Sequence, residues 1–372
     1  MVRRIIQFGT SRFLQAHADL FVHEARLAGQ DIGPISVVKT TSGAERRGRI
    51  DAMRQPAGFP VRIRGYRDGG VVDETIQVRS VDQALTAAED WPRITELFAG
   101  EAEFAISNVG ERGYEIPDED VHRPLASNEV PASFPAKLLL LLLARYEAGG
   151  KPLLFLPCEL VPSNGKVLRQ HLVTLAHGWG VPAPFLDWLA ASVVFGNTLV
   201  DRIVSEEIEP VGAIAEPYAL WAIQNDGFDP PLLHPAIIYT DDLQRFERLK
   251  LHILNLGHTV LAESWIKDRR PANETVRQIL ADAPIYQRLR EIYAEEVVPG
   301  FAALGMGEEA ANYVETTIER FQNPFLDHRI ADIAQNHAAK VERRIKSFLA
   351  LARERAPSLP MHRLMAVAAT YS

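Results

Sequence analysis

Up to residue 238, short β-branched runs alternate with stretches of helical period. From residue 239 onward the helical period continues almost alone. The first runs, at residues 4–8, 35–39, 104–106 and 153–156, are short and apolar throughout, as expected of parallel strands buried on both faces. Helical stretches lie between them: residues 13–25 carry Phe13, Leu14, Ala18, Leu20, Phe21 and Ala25 on one face, with Gly29 as a plausible residue after the C-cap. Residues 61–66 and 71–79 alternate around Arg67-Asp68-Gly69-Gly70, a hairpin signal. The pattern predicts an α/β Rossmann-type doubly wound domain over residues 1–238, then an all-α domain over residues 239–372. The boundary is set by the proline-rich connection through Asp229-Pro230-Pro231 to Pro235. A cleft between two such domains is the expected place for a ligand.

One helical stretch breaks the pattern. Residues 247–262 are apolar on nearly every side, through Leu249, Leu251, Ile253, Leu254, Leu256, Val260 and Leu261, yet include Lys250, Asn255 and His258. A helix apolar all round is normally buried, and a buried ammonium without a partner is costly. At about 100° per residue the three polar groups fall within an arc of roughly 140° and along about 12 Å of axis. They converge on a polar ligand in a cleft, or they form the wet stripe of a half-exposed helix; spacing alone leaves both open.

Composition narrows the class. The 372 residues are 47% hydrophobic and 24% charged with net charge −8, which speaks against general affinity for nucleic acid or anionic membrane. The single cysteine, Cys158, rules out an internal disulfide and a Cys-rich zinc site, and the 11 histidines show no metal-ligand spacing, so no metal is expected. The apolar run at residues 138–144 is far short of a membrane span. The expectation is a cytoplasmic protein, monomer or homodimer, acting on a small molecule.

The first strand runs into Gly9-Thr10-Ser11-Arg12-Phe13-Leu14. Strand, glycine turn, helix, strand opens a dinucleotide-binding fold, but Ser11 and Leu14 occupy slots where glycine is usual. The second strand ends at Lys39, followed by Thr40 and Thr41 in place of an acid for a ribose hydroxyl, with Arg46 and Arg47 nearby. The expected cofactor is NAD, with NADP left open. The strand at 104–106 ends in Ser107-Asn108, followed by Glu111 and Gly113. Polar residues at that end of a parallel strand suit ligand binding as well as an ordinary loop.

Taken together, the chain resembles the mannitol dehydrogenase family of polyol-specific long-chain dehydrogenases, which includes the fructuronate and tagaturonate reductases. The resemblance rests on Gly9, Phe13 and His17; on Ser107-Asn108 with Glu111; and on Pro157-Cys158-Glu159-Leu160 with Asn164-Gly165. It continues through Asn197-Thr198-Leu199-Val200-Asp201-Arg202, Lys250-x4-Asn255-x2-His258 and Arg320-Phe321-x-Asn323-Pro324-x3-His328. It implies metal-independent hydride transfer between a nicotinamide cofactor and a secondary alcohol or ketone of a sugar acid or polyol. Lys250 would be the general acid/base. Asn197 and Asn255 would donate to the reacting oxygen. His258 would bind a substrate hydroxyl, and Arg320, His328 and Glu111 would bind the substrate. Cofactor contacts would come from Gly9, Thr10, Ser11, Phe13, Lys39, Thr40, Ser107 and Asn108. Glu247, one turn before Lys250, is either part of a proton path or a surface charge. The alternatives are a catalytically silent module of the same fold and a hexitol-phosphate dehydrogenase. The latter ranks lower because no compact Lys/Arg group stands out in the second domain.

Overall fold

The computed structural model describes residues 3–41, 43, 47–110, 112–125 and 129–371. Glu111 and Arg46 lie outside these residues. The chain divides into two units. The first holds residues 1–63 and 73–243, and the second holds residues 64–72 and 244–372. Residues 64–72, the outer part of the predicted hairpin, thus group with the helical unit, and the division falls five residues after position 238.

Thirteen strands are described: β1 Arg3–Phe8, β2 Ile32–Lys39, β3 Phe59–Arg67, β4 Gly70–Val78, β5 Val81–Thr86, β6 Ala102–Ser107, β7 Leu153–Pro157, β8 Val193–Phe195, β9 Thr198–Asp201, β10 Val204–Glu207, β11 Ala213–Ala215, β12 Leu220–Gln224 and β13 Ile237–Thr240. Six form a parallel sheet in the order β5-β2-β1-β6-β7-β8. Their side chains are buried on both faces, as the unbroken apolar runs require: Ile5, Ile6, Val37, Ala105, Ile106 and Phe155 are all at most 1% exposed. The chain leaves β1 toward β2 on one side and returns to β6 on the other. The ends of β1 and β6 therefore flank a switch point, where open α/β sheets bind ligands.

After β1 the chain is helical from Arg12 to Leu27, through a π turn at Gln15–Asp19. It ends at Gly29 (φ +83°), where the N–H of Gly29 reaches Arg26 O and that of Gln30 reaches Ala25 O. This double closure needs a residue tolerant of positive φ, which glycine is. The β3–β4 hairpin turns on Asp68 and Gly69, both at positive φ, the geometry that matches strand twist in a two-residue loop.

The second unit is helical and built around the 243–267 stretch. Ile253, Leu256, Val260 and Leu261 are buried on different sides of it, packed among Tyr293, Phe301, Phe348 and Leu364. All-round apolarity is thereby explained: other helices surround this one. The helical stretch after residue 329 is interrupted. Ile330–Ile333 ends, Asn336 takes φ +53°, and a new helix begins at His337. Among the described residues no helix is long and apolar enough to cross a membrane.

Candidate active site

The first unit carries a cradle at its switch point. Gly9 follows β1 with φ +114°, and a Cβ there would stand 2.4 Å from the carbonyl oxygen of Asn108. Only glycine permits that approach. Ser11 makes up for the missing second glycine. Its hydroxyl accepts from Leu14 N at 3.3 Å, capping the helix, and donates to Asn108 Oδ1 at 3.1 Å. The Asn108 amide in turn donates to Cys158 O at 2.7 Å. One asparagine thus ties together the ends of β1, β6 and β7. The cradle opens on a cavity of about 410 Å³ lined by Gly9, Thr10, Ser11, Lys39, Thr40 and Asn108, among others. That size falls within the usual range for small-molecule sites.

Two of the expected cofactor contacts lie outside this lining. Phe13 stacks on His17 with ring centroids 4.7 Å apart. Ser107 is fully buried, its hydroxyl 3.0 Å from Glu159. Glu159 also accepts from Val109 N and from the Tyr114 hydroxyl, each at 3.0 Å. Burial raises the Glu159 carboxyl above its ordinary range, while these donors oppose the shift. Glu159 therefore holds the loop after β6 by three donors, a role its place in the Pro-Cys-Glu-Leu motif did not disclose. Cys158 beside it is fully buried, and burial pushes its thiol well up, as for an inert apolar side chain. Asn197 also lies in this unit. Its Oδ1 accepts from Lys166 N and its Nδ2 donates to Gln224 Oε1, both at 3.0 Å, leaving one amide hydrogen unused by these bonds.

The second unit holds the other expected residues on or beside one helix. Leu243–Leu249 passes through a π turn, Lys250–Leu254, into Asn255–Lys267. In that turn Asn255 N donates to Lys250 O, so Asn255 stands one turn above Lys250. The 140° arc expected of a regular helix is narrowed accordingly. Such turns recur at functional sites. Partners fix this one from outside: the Tyr293 hydroxyl donates to Ile253 O at 2.9 Å, and Arg344 Nη1 donates to Asn255 O at 3.2 Å. Gly257 leaves room for Tyr293, since a Cβ there would stand 1.9 Å from the hydroxyl.

Lys250 and Asn255 are half-buried, whereas His258 is buried against Phe321 with ring centroids 4.4 Å apart. The His328 ring meets His258 edge-on at 5.3 Å. Burial lowers the His328 pKa, Asp332 opposes this, and the Lys340 ammonium adds to it, which favours the neutral ring. Arg320 is 4% exposed, on the helix that also supplies Phe321. Glu247 is half-buried, and burial raises its carboxyl. Among the described residues no three His, Cys, Asp or Glu side chains are grouped to hold a metal ion.

A family model of the mannitol dehydrogenase Rossmann domain matches residues 3–233, and one of the mannitol dehydrogenase C-terminal domain matches residues 242–372. The chain belongs to the mannitol dehydrogenase family. Altronate oxidoreductase of Halalkalibacterium halodurans is 30% identical over 369 residues, covering 92% of this chain and 69% of the relative. The enzyme of the same name from Yersinia pestis is 31% identical over 399 residues, covering 98% and 78%. Among solved structures, D-sorbitol dehydrogenase in substrate-free form superposes with a TM-score of 0.84 at 20% identity, covering 99% of this chain and 79% of that one. Mannitol 2-dehydrogenase of Pseudomonas fluorescens, a ternary complex with NAD and D-mannitol, gives 0.73 at 19%, covering 100% and 84%. Within this family both units have their counterparts, and the fold is that of the polyol dehydrogenases.

Proposed function

We propose that this member of the mannitol dehydrogenase family uses Lys250 as the general acid/base of its reaction. The chain is an NAD-dependent oxidoreductase acting on a sugar acid or polyol. The cradle at Gly9, Ser11 and Asn108 fits the cofactor: backbone approaches without a Cβ, and a capped helix begins at Arg12. When bound, NAD supplies the hydride acceptor. The chain's own residues handle the proton and the oxygen.

Oxidation needs a base on the hydroxyl as hydride leaves its carbon; the Lys250 amine takes that proton, and as ammonium it returns one in the reverse direction. The amide hydrogens of Asn255 donate to the oxygen as charge builds on it, a contribution of about 3 kcal/mol for such a donor; Asn197, in the first unit, offers an amide hydrogen of the same kind. His258, backed by Phe321, hydrogen-bonds a neighbouring hydroxyl. Arg320 and His328 recognise groups further along the substrate, Arg320 by a two-point grip. Glu247, three residues before Lys250, passes the proton on toward solvent. The observation that carries this reading is the π turn linking Lys250 to Asn255 on a helix whose other faces are packed. Turnover of NADH with keto-hexuronates and ketoses, and of NAD with aldonates and polyols, tests it. Activity on one of these with Asn255→Ala lowering kcat about 100-fold is expected; inactivity on all of them points to a silent module.

A further inference from the structure

We propose that Tyr293 is a positioning residue for proton transfer: through Ile253 it locks the π turn that sets Lys250 beneath Asn255, and Gly257 is the notch that admits it. The inference rests on the catalytic reading above and adds the pair of residues that hold its geometry.

The turn is what brings the amine and the amide together. Five residues of regular helix, at about 100° each, would leave Lys250 and Asn255 about 140° apart. The bond from Asn255 N to Lys250 O closes a wider turn and narrows that angle. A lone π turn inside an α helix is rare, so what favours it lies in contacts made from outside the helix.

Tyr293 supplies one such contact from the core. It is 1% exposed, and its hydroxyl donates at 2.9 Å to Ile253 O, a carbonyl of the turn itself. Burial raises the pKa of the phenol, with the Arg290 charge opposing, so the hydroxyl keeps the proton it donates. Ile253 is fully buried, which leaves its carbonyl no easy replacement if that donor is lost.

Room for the hydroxyl is made at Gly257. A Cβ there would stand 1.9 Å from the Tyr293 oxygen and 3.1 Å from Cε2 of Phe321, the ring against which His258 packs. Gly257 lies within the helix Asn255–Lys267 and is not among the glycines at positive φ, so its backbone angles do not require glycine. Glycine inside a helix is unfavourable relative to alanine. The close approach of Tyr293 accounts for it. One small residue between Asn255 and His258 thus lets two aromatic side chains reach the helix that carries the site.

The test is single-turnover hydride transfer from NADH to tagaturonate and to fructose, in the wild type, Tyr293→Phe, Gly257→Ala and the double variant. Tyr293→Phe is expected to lower the rate about tenfold or more, with KM and the Kd for NADH within about twofold and a larger solvent deuterium isotope effect. A rate within about twofold of wild type overturns the proposal, even with a lower Tm, because the tyrosine then only packs. Gly257→Ala should lose as much alone and far less in the Tyr293→Phe background, where the hydroxyl it strikes is gone. Equal losses in both backgrounds overturn the notch. In Lys250→Ala, Tyr293→Phe should add nothing further; a second loss of about tenfold there shows that it does not act through Lys250 and overturns the proposal. If the wild type turns over neither substrate, the catalytic reading fails separately. Acylation of Lys250 in the NADH-loaded protein, followed by mass spectrometry against Lys267, then decides. A labelling ratio altered about threefold or more by Tyr293→Phe supports the lock, and an unchanged ratio overturns it.

Discussion

Gly9 and the carbonyl of Asn108 approach so closely that a Cβ on Gly9 would lie 2.4 Å from the oxygen, at a backbone φ of +114°. Gly9→Ala therefore meets both a steric and a conformational obstacle, each of the order of 1–3 kcal/mol. Weakening of NADH binding by at least tenfold is expected in a fluorescence titration, with a lower Tm. Affinity within twofold of wild type would contradict the placement of the cofactor against this turn.

Ser11 should behave as a cap and as a strut. Ser11→Ala removes the acceptor for Leu14 N and the donor to Asn108 Oδ1. A stability loss of about 1 kcal/mol is expected from the cap alone, read by urea denaturation, together with a several-fold rise in the Kd for NADH. Ser11→Gly should lose less, because glycine is tolerated at an N-cap.

Cofactor choice follows from the end of β2. Lys39 is buried with its ammonium held by Gly43 O, and Thr40 and Thr41 follow, so among the described residues no carboxylate stands at this strand end. NADH is expected to bind more tightly than NADPH, with a margin smaller than an acidic residue would give. Parallel titrations check this. Tighter binding of NADPH would shift the assignment.

Asp19 gives the fold a pH signature. It is fully buried in the π turn after the cradle, and burial raises its pKa from 3.8 to about 8, with the Gln7 side chain opposing. The native state holds its proton where the unfolded chain has lost it. Its contribution to stability is therefore complete below pH 3.8 and declines as pH rises through about 8. The slope is about 1.4 kcal/mol per pH unit at most. Asp19→Asn should gain stability relative to wild type between about pH 5 and 8, measured as urea midpoints. Parallel profiles for the two proteins would contradict a buried neutral acid here.

Much of the architecture was legible because the physical signals were local. Unbroken apolar runs marked the doubly buried strands, Asp68-Gly69 marked the hairpin, and the all-round apolarity of residues 247–262 marked the central helix of its unit. What stayed hidden depends on contacts distant in sequence. The π turn at Lys250 is held by Tyr293 and Arg344, 40 and 89 residues away from the carbonyls they bind. Glu159 gains its meaning only when β6 and β7 pair, bringing Val109 and Tyr114 to its carboxylate. Phe13 and Ser107 show the reverse case. They sit in the right motifs, yet their side chains pack on His17 and Glu159 and do not line the cavity.

The central claim is that Lys250 moves the proton while the rest of the chain positions the reactants. Its most direct test is single-turnover kinetics of Lys250→Ala alongside NADH titration of the same variant. The account predicts a loss of the hydride-transfer rate by orders of magnitude with the Kd for NADH within about twofold of wild type. Near-normal hydride transfer in Lys250→Ala would contradict it.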